Sequence, residues 1–175
     1  METDQLKSTS FTFLGSSISF ILQVMLAPNF AILNVVPNFI MVFVIINSMF
    51  SPKIRSCLAG FILGLLYDFI SQGALGAMSF VLSVLAYSVS SLNKDLFTNS
   101  WVAQAFFLLL AAFFGELFHA IFLSIFGFDN DFIASLGMRV FPGSIYAALI
   151  GLVFFAIMSR VAKRRKKDKR IFKGR

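Results

Sequence analysis

The chain has 175 residues, 58% of them hydrophobic, with 24 Phe and only 13% charged residues. Its mean hydropathy is +0.87. A soluble globular domain carries roughly 45–50% apolar and about 25% charged residues. This composition therefore excludes a soluble enzyme domain and points to a single compact membrane domain, all-α because a chain in lipid must satisfy its own backbone. The net charge of +7 is concentrated at one end, where residues 160–175 hold ten of the fifteen Lys and Arg.

A bilayer core of about 30 Å needs about 20 apolar helical residues. Six stretches are read as spans: 11–27, 30–50, 54–70, 74–92, 101–126 and 136–159. Together they make a transmembrane domain over 1–159, followed by a basic tail over 160–175. The leader METDQLKSTS has two acids and one lysine, a poor signal-peptide n-region, so the first stretch is expected to stay as a membrane helix. The second contains Pro37. Either this helix kinks there, or Pro37 sits in its first turn. The sixth contains Pro142, an alternative starting point that would leave Arg139 in an interfacial loop.

Six spans put both ends on one side, and the tail assigns that side to the cytoplasm. The remaining loops on that side hold Lys53, Arg55 and Lys94. The opposite loops, at 28–29, 71–73 and 127–132, hold no Lys or Arg but do hold Asp129 and Asp131. The loops leave no room for a catalytic or nucleotide-binding module outside the bilayer. The tail carries Arg160, Lys163, Arg164, Arg165, Lys166, Lys167, Lys169 and Arg170. After an apolar helix it reads as a surface for anionic lipid or a partner, not for nucleic acid. The single cysteine, Cys57, lies in an apolar run and reads as a small buried hydrophobe.

Ionisable groups within the spans are few: Asp68, Glu116 and His119, with Arg139 near an edge. Each charge at depth costs about 2.5–3.5 kcal/mol on insertion scales and needs a partner or a purpose. Asp68 lies thirteen residues beyond Arg55, about 20 Å along a helix, in the outer third of the core. Glu116 and His119 are three apart and share a helix face. Glu-x-x-His is half of a di-iron site, but the second such pair and the extra glutamates are missing, so a metal site is rejected. The sole His has no Gly-x-Ser-x-Gly elbow to serve, so a hydrolase triad is rejected too. Two readings remain open. The four groups form an internal clamp, with Asp68 or Glu116 paired to Arg139, or they line a cavity or meet a partner's helix.

Small residues recur at four-residue spacing: Gly15 and Ser19, Gly60 and Gly64, and Gly143, Ala147 and Gly151. Such grooves let helices approach closely, within the bundle or with a partner. In GLLYDFISQGALGAMSF, residues 64–80, a turn follows Ile70. Asp68 beneath it is placed to cap freed N–H groups as well as to meet a cation. Gly76 is expected to loosen the start of the next helix or admit a neighbour.

Gly64-Leu65-Leu66-Tyr67-Asp68 with Gly73, Leu75 and Gly76 resembles the rod-shape-determining MreD family of bacteria. Pro37-Asn38 opening an apolar helix is similar to that family's second span. The stretch FPGSIYAALIGLVFFAIMSR is similar to its last. One departure is Ala147, where the family often has Asn. The resemblance implies a non-enzymatic, multi-pass subunit of the cytoplasmic membrane, without cofactor, in the machinery of lateral cell-wall growth. It implies MreC as partner, and beyond it MreB, RodA and a penicillin-binding transpeptidase. The family is similar in fold to the substrate-binding S components of energy-coupling-factor vitamin transporters, which supplies the alternative function. That alternative predicts an outer cavity holding a vitamin-like ligand.

Overall fold

The computed structural model describes residues 2–31, 35–71, 74–96, 101–128 and 131–156, with side chains from residue 12 onward except at 93–102. Asp129, Gly73 and the whole basic tail lie outside them. The described residues are helical with short connections. The helices are α1 (Glu2–Met25), a 3-10 turn (Ala27–Phe30), α2 (Phe39–Phe50), α3 (Lys53–Ile70), α4 (Ala77–Leu96) and α5 (Trp101–Ile125). The last, α6 (Phe132–Ala156), includes a π turn at Leu136–Val140.

The core is built around α2. Residues Ile40 to Met49 are all buried, and α1, α3, α4 and α5 pack on this one helix. A helix apolar on every side is stable only when surrounded, which is the position α2 occupies. Phe50 stacks on Phe155 of α6 at 5.8 Å, and Phe113 of α5 meets Phe141 at 5.5 Å. The outside is apolar as well. Phe13, Ile54, Phe69, Phe106 and Ile133 are all at least 61% exposed. A surface of this kind suits lipid, not water.

Residues Ala103–Ile125 and Phe132–Ala156 are long and apolar enough to cross a bilayer on their own. Thr12–Met25, Phe39–Phe50 and Ala77–Leu92 are shorter apolar helices. The second stretch differs most from expectation. Its helix has twelve residues, about 18 Å at 1.5 Å each. Pro37 is neither a kink nor a first-turn residue. It precedes the N-cap Asn38, whose Oδ1 accepts from Met41 N at 3.0 Å. Proline disfavours helical geometry in the residue before it, so the chain stays extended there. Non-helical backbone inside a membrane protein needs internal partners, and α1 supplies them. Buried Gln23 accepts from Phe39 N at 2.7 Å and donates to Pro37 O at 3.3 Å.

The sixth helix also differs. It starts at Phe132, four residues before the expected boundary and well before Pro142. Pro142 has no N–H, and its ring would crowd the carbonyl four residues back. The helix relieves this with the π turn, in which Phe141 N–H reaches Leu136 O. Arg139 therefore sits in a helical π turn, not in a loop.

Candidate functional site: a polar cavity beside a capped turn

The α3–α4 corner is fixed by one side chain. Asp68 Oδ2 accepts from Gly76 N at 3.0 Å and from Ser79 N at 3.1 Å, and Oδ1 accepts from Met78 N at 3.1 Å. A new helix leaves its first N–H groups without partners. Asp68, from the preceding helix, satisfies them and places negative charge at the positive end of α4. Gly76 has φ +91°, a conformation costly for residues with a Cβ. A Cβ there would meet nothing within 4 Å. Gly76 is thus needed for its backbone angle, and it admits no neighbouring helix.

The four-residue grooves face inward. A Cβ on Gly60 would overlap Leu82 O, one on Gly64 the backbone of Ser79, and one on Gly15 the Phe43 ring. Ser19 and Ala147 are buried at 1% and 2% exposure. Gly143 and Gly151 are looser, with the nearest atoms 3.7 Å from an ideal Cβ. α3 and α4 thus come into backbone contact, and Ser79 Oγ donates across to Phe61 O at 3.0 Å.

The remaining ionisable groups gather about a separate cavity of about 630 Å³. It is lined by Asn38 at the start of α2, Tyr67 near the end of α3, Glu116 of α5, and Arg139 and Gly143 of α6. Glu116 and His119 are buried, at 7% and 5% exposure, whereas Arg139 is exposed. The expected clamp takes a different form. Arg139 pairs with neither Asp68 nor Glu116. Its guanidinium lies 3.4 Å from His119 Nδ1. Arginine can only donate, so Nδ1 accepts and the ring proton lies on Nε2. The Tyr67 ring meets the His119 ring edge-on at 6.3 Å. The charge of Arg139 and the neutral amide of Asn38 both act on Glu116.

The structure thus brings Glu116, His119 and Arg139 together and sets Asp68 apart as a backbone cap. Tyr67 and Asn38 complete the cavity wall, although they carried no signal beyond the family resemblance. A second polar network lies at the other end of α2. Asn47 Oδ1 accepts from Thr12 Oγ1 at 3.3 Å and from Ser51 Oγ at 3.2 Å. Ser51 O accepts from Ser90 Oγ at 2.9 Å. Sequence reasoning missed it, because serines and a lone amide in apolar helices have no distinctive spacing.

No curated protein and no solved structure matches the chain. The family model for the rod shape-determining protein MreD matches residues 6–164. That match runs from α1 through the described part of α6 and contains both the capped turn and the cavity. It gives no support to the transporter-component alternative. By this match the chain belongs to the MreD family of rod shape-determining proteins.

Proposed function

We propose that this chain is a six-span subunit of the bacterial cell-elongation complex, with both ends in the cytoplasm. In this reading it binds the membrane helix of MreC and so supports lateral peptidoglycan synthesis. MreB, RodA and a penicillin-binding transpeptidase are reached through the assembly. The basic tail meets anionic lipid. The observation that carries the reading is the family match over 6–164. Membership supports a role in rod-shape determination at the membrane, and a non-catalytic role is part of the proposal.

The lipid-facing exterior and the loop charge pattern support the multi-pass topology. The packing also narrows how a partner helix docks. Gly15, Gly60 and Gly64 are taken up by contacts inside the bundle, and Asp68 by α4 backbone. A partner helix is left the apolar outer faces and contacts of the Glu116 cluster. Affinity purification of the tagged chain from native membranes tests this. MreC should be recovered with it, and its absence from an otherwise intact preparation overturns the proposal. A reporter fused after Arg175 should be active only on the cytoplasmic side.

A further inference from the structure

The cavity at Glu116 is an incomplete electrostatic arrangement. A buried charge is stable when paired or ringed by donors. Among the described residues Glu116 makes no direct ion pair, although the charge of Arg139 acts on it. It is 7% exposed, and the neutral amide of Asn38 lines the cavity beside it. Arg139 lines the same space but is drawn to His119, not to Glu116. One acid and one cation therefore line a common space of about 630 Å³ without forming an ion pair. The rest of the lining includes the apolar Val35, Val36 and Met138.

We infer that this cavity binds a zwitterionic group, an ammonium on Glu116 and a phosphate on Arg139, of the kind found in an ethanolamine phosphate head. A purely anionic ligand would set its charge against Glu116. A purely cationic one would set its charge against Arg139. A ligand with both charges a few bonds apart satisfies the two residues at once. Guanidinium offers a planar set of donors suited to phosphate oxygens, and only one of its nitrogens is engaged by His119. A carboxylate offers acceptors for ammonium hydrogens. The apolar lining suits the carbon stem of such a head. The same chemistry comes from a membrane lipid or from a free small molecule. The Glu116 cluster is also a contact left to the partner helix proposed above, so the test uses the isolated chain, whose lipid retention does not depend on that partner.

The full-length chain, purified in detergent, is offered dioleoyl phosphatidylethanolamine or dioleoyl phosphatidylglycerol at equal concentration, and retained lipid is read by native mass spectrometry. The ethanolamine lipid should be retained about fivefold over the glycerol lipid. Glu116→Gln should abolish that preference, and Arg139→Gln should lower retention of both lipids. Millimolar phosphoethanolamine that displaces the lipid shows that the free head suffices. Preference without displacement assigns the site to the intact lipid. Equal retention of the two lipids by the unsubstituted chain overturns the inference, as does a preference that survives in folded Glu116→Gln. If that variant loses its helicity, the unsubstituted chain and Arg139→Gln decide the matter. An unchanged retention in folded Arg139→Gln also counts against it.

Discussion

Asp68 and Glu116 are both carboxylates in apolar helices, exposed by only 4% and 7%. Asp68 is satisfied by three backbone N–H groups from a single turn. Glu116 faces a cavity lined by the neutral amide of Asn38 and by Arg139, whose guanidinium is held by His119. A buried acid that closes its own hydrogen bonds is part of the framework. One that leaves them open is available to something else. The distinction rests on which backbone lies within reach, because only a helix start offers several free donors at one point.

The largest effect should come from Asp68→Ala. It leaves three N–H groups at a buried helix start without their acceptor, at about 1 kcal/mol or more each, so about 3–4 kcal/mol in all. Thermal unfolding in detergent and amide exchange at residues 76–79 should both show it. Asp68→Asn keeps one acceptor oxygen and should recover part of the loss. Loss confined to partner recovery, with unfolding unchanged, would break the contrast with Glu116.

Gly64→Val comes next. The α3 and α4 backbones touch at Ser79, and forcing them apart should cost about 2–3 kcal/mol. Gly143→Ala is its control, because the nearest atoms lie 3.7 Å from an ideal Cβ. That substitution should unfold within about 0.5 kcal/mol of the parent.

Gln23→Leu removes the acceptor of Phe39 N and the donor to Pro37 O. About 2 kcal/mol is expected, read by thermal unfolding, because those groups stay buried without partners. Of the two carboxylates, Glu116 should show the far smaller effect on stability, read in Glu116→Gln. The amide keeps the shape of the side chain and its polar cavity setting, so unfolding should move by less than about 1 kcal/mol. A large destabilisation there would place Glu116 in the same structural class as Asp68 and remove the contrast.

The capping role of Asp68 was readable from residues 64–80, because the acid, the turn and the new helix are close in sequence. Helix existence followed from apolar runs of sufficient length. The four-residue spacing of Gly60 and Gly64 marked a close approach, but not the helix approached. The start of the second helix was misplaced at Pro37, whereas the sixth span rightly contained Pro142. Pro37 lies outside α2 because its backbone partner, Gln23, comes from another helix and has no sequence neighbour to reveal it. A buried amide near the end of α1 was the available signal, since irregular backbone in a membrane core requires one. Pro142 lies inside α6 because a π turn absorbs it, and that choice depends on packing against α5.

The sequence by itself determined that the chain is an apolar helical membrane protein with a cationic end, and it placed a carboxylate beneath the turn after its third helix, within reach of that turn's N–H groups. These follow from composition and from contacts between residues close in the chain. Only the tertiary structure decided that Arg139 turns to His119, that Glu116 opens on a cavity with Tyr67 and Asn38, and that the grooves at Gly15, Gly60 and Gly64 are filled from within. Such pairings join residues twenty or more positions apart, and their choice depends on how whole helices rotate and seat against each other.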